Sequence, residues 1–136
     1  MKLFLDANVL FTAAHNPKGK AAFVIDMAKE GHWEVVNSEF AIEEARRNLE
    51  IKFPKSLARL ERLLRSVAVV PTVLEGDCPA GLAPKDRPIL LSALLAECSH
   101  LLTGDWKHFG KLMNRPRSTG GVRIQTVSDF LVTLVN

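Results

Sequence analysis

Cysteine is scarce in this chain, and long apolar runs are missing. Only Cys78 and Cys98 occur, 20 positions apart and with no companion cysteines nearby. That spacing, with four scattered histidines, forms no zinc motif. Both read as ordinary thiols, Cys98 buried in a helix. No apolar stretch approaches the roughly 20 residues that cross a bilayer. The N-terminal apolar run stops at Asp6, too short for a signal peptide, so the expected compartment is the cytoplasm, where a disulfide is not expected. Repeats, low-complexity tracts and linkers are absent too. The 136 residues are therefore expected to form one domain, residues 1–136. A 47% hydrophobic and 24% charged composition fits an ordinary globular core.

The net charge of +3 is modest, but its distribution is uneven. Residues 46–65 carry seven Lys or Arg against Glu50 and Glu61. Residues 104–123 carry Lys107, Lys111, Arg115, Arg117 and Arg123 against Asp105. Such segments suit an anionic polymer, with Arg46, Arg47, Lys107 and His108 as candidate contacts. A solvated helix face is the plainer explanation for any one of these residues.

The chain alternates short apolar strands with helices. Strands are expected at Lys2–Leu5, Trp33–Val36, Val67–Val70, Ser99–Leu102 and Val122–Ile124. Helices are expected over Val9–Ala14, over Lys18–Glu30 with Gly31 as the stop, and from Ser38 to about Phe53, ahead of Pro54. Further helices are expected at Lys55–Arg65, Pro88–Glu97 (apolar nearly all round, hence deeply buried), Trp106 to about Met113, and Val127–Val135. Thr72–Lys85 reads as a loop and Asn114–Gly121 as a basic loop. Strands buried on both faces and separated by helices predict a three-layer α/β/α sandwich around a parallel, Rossmann-like sheet of about five strands.

Four acids stand where such a sheet binds ligands, at the carboxyl ends of its strands. Asp6 ends the first strand, and Asp105 follows the fourth by three residues. Asp86 stands at the entry of the buried helix, where an N-cap role is equally natural. Glu44 lies on the flank of the Ile42/Ala45/Leu49 stripe, whereas Glu43 lies opposite that stripe, within i,i+4 reach of Arg47. Glu44 is therefore assigned to the site and Glu43 to a solvent pair. Clustered carboxylates repel one another unless a cation neutralises them. All-oxygen ligands favour a hard ion, Mg²⁺ or Mn²⁺. Such an ion acidifies water and stabilises a leaving oxygen, which is the chemistry of phosphodiester hydrolysis. Asn8, Thr103 and Ser38 are candidates for hydrogen bonds that orient the acids or the attacking water.

Leu5-Asp6-Ala7-Asn8-Val9, the helix holding Ser38, Glu44 and Leu49, Lys85-Asp86-Arg87-Pro88-Ile89-Leu90, and Leu102-Thr103-Gly104-Asp105-Trp106 together resemble the PIN domain. The motifs agree in order and span nearly the whole chain. The resemblance implies a Mg²⁺/Mn²⁺-dependent ribonuclease on a Rossmann-like sandwich. It carries the acidic ligands over to Asp6, Glu44, Asp86 and Asp105, and a site hydroxyl to Thr103. In size the chain is similar to VapC-type toxins, which implies a small antitoxin partner and a homodimer. Val9, Phe11 and Phe23 are expected to be exposed, where they could form the dimer face. Trp106-Lys107-His108-Phe109 departs from the commonest pattern, which often carries a further Asp there. His108 then faces either substrate phosphate or solvent. The alternative is a non-catalytic PIN-like module that binds RNA or a partner. A receiver domain would need an acceptor Asp after the third strand and a Lys after the fifth, where this chain has Pro71 and no Lys, and a haloacid dehalogenase-type phosphatase would want Asp where Asn8 stands.

Overall fold

The computed structural model describes residues 1–79 and 81–135. Residue 80, within the expected loop, and residue 136, the last of the expected domain, lie outside the described residues. Five strands form one parallel sheet: β1 (Lys2–Leu5), β2 (Glu34–Ser38), β3 (Ala68–Val70), β4 (His100–Leu102) and β5 (Arg123–Gln125), in the order β3-β2-β1-β4-β5. The order reverses at β1, so β1 is central and a crevice opens beyond its carboxyl end. Among the described residues, seven helices cover the sheet: α1 (Ala7–His15), α2 (Lys20–Lys29), α3 (Glu39–Lys52), α4 (Leu57–Leu64), α5 (Arg87–Leu95), α6 (Trp106–Phe109) and α7 (Val127–Val135).

Alternation along the strands feeds two cores. Leu3, Leu5, Val35 and Leu102 face α1, α2, α4 and Phe130 of α7. Phe4, Val36, Leu101 and Ile124 face α5 and Phe109 of α6. Helix α3 contributes to both layers, Ile42, Ala45 and Leu49 to the first and Ala41 to the second. The expected three-layer sandwich is the fold. The match is complete for β1 and α7.

Several element boundaries and burials depart from the sequence reading, each for a local reason. β2 runs two residues further than expected because Asn37 and Ser38 pair with Val69 and Val70 of β3. α3 then starts at Glu39, with the Ser38 hydroxyl accepting from the Ala41 N–H. α1 starts earlier, at Ala7, because the Asp6 carboxylate accepts from the Ala7 N–H. β3 is the sheet edge, so its Val69 is exposed instead of buried on both sides. α5 stops at Leu95, which is exposed, and Glu97 turns the chain with a φ of 57°. Only the first two turns of α5 are deeply buried. Cys98 is buried as expected, but in the turn after α5 and not in a helix. The expected basic helix to Met113 is the single turn of α6 followed by a 3₁₀ turn at Gly110–Leu112. A second 3₁₀ turn, Pro54–Ser56, replaces the start of the expected Lys55–Arg65 helix. Gly31 ends α2 in the left-handed region (φ 87°), where a side chain would be strained. Val9 is buried in the core and Phe11 packs partly buried against it, so of the expected dimer-face trio only Phe23 is exposed.

Candidate active site

β1 delivers Asp6 to the crevice because its apolar residues bury themselves and leave the next residue at the sheet's edge. The Asp6 backbone N–H donates to the Leu102 carbonyl, which ties β1 to β4 at this level. Asp6 is 5% exposed, and its carboxylate accepts three hydrogen bonds. The Ala7 N–H donates at 2.7 Å, the Thr103 hydroxyl at 2.8 Å and the Asn8 amide at 3.1 Å. Despite these partners, burial pushes the Asp6 carboxyl up to about 6, and the charges of Glu44 and Asp86 push the same way. The two oxygens divide these partners, Oδ1 capping α1 and Oδ2 accepting from Thr103 and Asn8.

Thr103 and Asn8 lock the β1 and β4 ends together. The buried Thr103 hydroxyl accepts from the Asp105 N–H at 3.0 Å while it donates to Asp6. The Asn8 amide oxygen accepts from the Gly104 N–H at 2.8 Å, and its nitrogen lies 3.3 Å from the Thr103 hydroxyl. Both side chains therefore set the positions of Asp6 and Asp105. Ser38 is placed differently. It is fully buried and its hydroxyl is engaged in capping α3.

Asp86 begins α5 without capping it, for its side chain makes no cap hydrogen bond. The N-cap function equally expected for it is absent. The residue is 8% exposed, its Oδ2 is buried and that oxygen has no hydrogen-bond partner. Burial holds its carboxyl above the ordinary range. Asp105 lies opposite, where burial works upward on its carboxyl but the hydrogen bonds from the His108 ring and backbone bring it below the ordinary range. His108 Nδ1 is 2.6 Å from Asp105 Oδ2 and 3.8 Å from Asp86 Oδ2. Glu44 is half-buried on α3 and close enough to raise the Asp6 carboxyl by its charge. The four predicted acids act on one another by charge, Glu44 and Asp86 on Asp6 and Asp105 on Asp86, and of the four the structure gathers Asp86 and Asp105 into one cluster.

A divalent cation fits this donor set. An ionised cluster this buried is unfavourable by itself, and Asp86 Oδ2 has no hydrogen-bond partner among the described residues, His108 Nδ1 standing 3.8 Å away. Ligand atoms of Asp86, Asp105 and His108 all lie within 4.8 Å of one another.

The cationic candidates divide. Arg46 is held in ion pairs with Glu43 and with Glu61, the latter at 2.7 Å. The solvent pair of Glu43 is therefore with Arg46, one residue nearer than the Arg47 expected. Arg47 and Lys107 are exposed. Two residues with a place at the site were given no role by the sequence reasoning. Lys85 is exposed beside the acids, its charge acting on both Asp86 and Asp105. Its position next to Asp86 in the chain was the available signal. Asn37 is fully buried and donates to the Leu5 carbonyl at 2.7 Å, holding the end of β1 against β2. A polar residue at the end of an apolar strand was its signal. A shallow groove over Asn8, Thr12, Gly104 and Asp105 and a smaller one over Lys107, His108 and Lys111 adjoin the acids.

Solved structures share this architecture. VapBC2 from Rickettsia felis, bound to a promoter DNA fragment, is similar with a TM-score of 0.65 at 13% identity, over 93% of this chain and 98% of that one. VapBC-1 from nontypeable Haemophilus influenzae is similar with a TM-score of 0.57 at 16% identity, over 94% and 99%. FitAcB from Neisseria gonorrhoeae is similar with a TM-score of 0.53 at 15% identity, over 93% and 98%. These likenesses show the fold. No curated protein matches the chain. The family described as PIN domain matches residues 2–107, and on that match the chain belongs to the PIN domain family.

Proposed function

We propose that this PIN domain is a Mg²⁺- or Mn²⁺-dependent endoribonuclease, with Asp6, Glu44, Asp86 and Asp105 as the acidic ligands of its cation. The observation that carries the reading is the buried, unpartnered Asp86 oxygen among three further carboxylates at one sheet edge. Raised Asp6 and Asp86 carboxyls report the same unmet demand for positive charge. When bound, a divalent ion supplies Lewis acidity: it makes a water more acidic and offsets negative charge at the phosphodiester.

The chain's own residues do the rest. Thr103 and Asn8 hold Asp6 and Asp105 at a fixed separation, so the acids need not reorganise when the substrate arrives. Ser38 fixes the start of α3, and with it the place of Glu44. Exposed Lys85, Lys107 and Arg47 offer positive charge to RNA phosphates on either side of the acids. Arg46, tied to two glutamates, contributes less to RNA than its neighbours do. The similarity to VapBC structures supports a small antitoxin protein as partner, and a second copy of the chain is proposed beside it. No helix among the described residues is long and apolar enough to cross a membrane, and the cytoplasm is the compartment proposed.

The test is cleavage of a labelled, structured RNA by the wild type and by Asp6→Asn, Glu44→Gln, Asp86→Asn and Asp105→Asn. Each variant is expected to lose at least about 100-fold in rate while remaining folded, because each removes a ligand of the ion that supplies the chemistry. Variants that cleave at the wild-type rate would refute the assignment.

A further inference from the structure

We propose that His108 is itself a ligand, through Nδ1, in a cation site shared with Asp86 and Asp105, and that this nitrogen makes the site prefer Mn²⁺ to Mg²⁺. The inference rests on the metal-dependent reading above and adds to it a ligand and a selectivity. Geometry is the first support. Nδ1 stands 2.6 Å from Asp105 Oδ2 and 3.8 Å from Asp86 Oδ2, and the three ligand atoms fall within 4.8 Å of one another. Cis ligands about 2.1 Å from a shared octahedral cation are roughly 3 Å apart. The two observed spacings lie either side of that figure.

The second support is independent of His108. Asp86 Oδ2 is buried with no hydrogen-bond partner, in a residue 8% exposed. If the His108–Asp105 contact were only a helix cap, it would satisfy those two residues and leave Asp86 Oδ2 without a hydrogen bond. A cation between the three groups satisfies all of them at once. The local fold already presents the ring. The Asp105 carboxylate accepts the His108 backbone N–H at 3.0 Å, which holds the two side chains on one side of α6. The cation needs the Nδ1 lone pair, so the neutral ring binds it as the Nε2–H tautomer, the proton moving from Nδ1 to Nε2 through solvent with no net release.

Selectivity follows from the donor. Mg²⁺ demands oxygen ligands and retains its waters, whereas imidazole nitrogen suits the transition metals. One nitrogen among oxygens therefore favours Mn²⁺ over Mg²⁺.

The experiment is calorimetric titration of the metal-free wild type, His108→Ala and His108→Asp with Mn²⁺ and with Mg²⁺, plus pulsed electron paramagnetic resonance of the Mn²⁺-loaded wild type. Circular dichroism checks that the variants fold. The expected result is ¹⁴N modulation in the wild-type Mn²⁺ signal. His108→Ala should bind Mn²⁺ at least tenfold more weakly, with less than a threefold change for Mg²⁺. His108→Asp should keep a site but lose the preference for Mn²⁺. If the wild type binds Mn²⁺ without ¹⁴N modulation, or His108→Ala binds both ions unchanged, the histidine ligand is overturned while the carboxylate site stands. If the wild type binds neither ion, the metal-dependent reading falls, and this inference with it. The wild-type resonance measurement decides the matter even where a variant fails to fold.

Discussion

Replacing Asp6 by Asn should stabilise the metal-free protein at pH 8 while removing its function. In the folded chain the Asp6 carboxyl is pushed from 3.8 to about 6. At pH 8 it is ionised both folded and unfolded, and the folded state bears the cost of burying the charge. A shift of that size corresponds to about 3 kcal/mol. As pH falls through 6 the folded state takes up the proton first, and the cost fades. Below 3.8 both states are protonated and nothing of it remains. Asn carries no charge at any of these pH values. Its amide nitrogen, however, meets donors where the carboxylate accepted from Ala7, Asn8 and Thr103. A mismatched hydrogen bond there costs on the order of 1 kcal/mol. The net gain for Asp6→Asn at pH 8 is then about 1–2 kcal/mol, or roughly 3–8 °C in midpoint for a chain of this length. The assay is thermal unfolding of both proteins in EDTA at pH 8 and pH 5. The Asp6→Asn advantage should shrink or reverse at pH 5. Saturating Mn²⁺ should reverse the order at pH 8, since a ligand at 100 times its Kd adds about 2.7 kcal/mol to a folded state that binds it. The reasoning is refuted if Asp6→Asn is the less stable protein at pH 8 in EDTA, or if the difference does not change with pH.

Three further outcomes follow from named contacts. Thr103→Val removes a hydroxyl that bonds both Asp6 and Asp105; it should lower the cleavage rate at least about tenfold and cost about 1–3 kcal/mol in denaturant titration, with Thr103→Ser restoring most of both. Glu43→Gln should leave cleavage within about twofold, because Glu43 only meets Arg46, while Glu44→Gln should abolish it; equal losses would end the separation of the two glutamates. Arg46→Ala should leave the salt dependence of RNA binding unchanged, whereas Lys85→Gln with Lys107→Gln should flatten it, a slope read from titrations at several salt concentrations.

The placement of the candidate acids was legible because it depends on position along strands. An acid just past a buried strand must lie at the sheet's carboxyl edge, and the structure puts Asp6 after β1 and Asp105 after β4. The helical angle separated Glu44 from Glu43, and the structure places Glu44 near Asp6. What stayed hidden depends on contacts between distant segments. Arg46 reaches Glu61 across a turn of chain, so its neutralisation cannot be read from α3 alone. The burial of Val9 depends on α1 packing against the sheet, and the length of β2 depends on its pairing with β3. Asp86 looked like a helix cap because its position in the chain is that of one, but its backbone is already helical (φ −96°, ψ −15°), which leaves the carboxylate free of the N-terminal amides. The uneven burial of α5 followed the same logic, since an apolar composition all round does not say which turn emerges.

The measurement that tests the account most directly is cleavage of a labelled, structured RNA by the purified wild type in Mn²⁺, with EDTA added and excess Mn²⁺ then restored. If four carboxylates act through a divalent ion, cleavage should stop in EDTA, return when Mn²⁺ is restored, and remain absent throughout for Asp6→Asn. Cleavage that persists in EDTA, or that Asp6→Asn retains, would contradict the account.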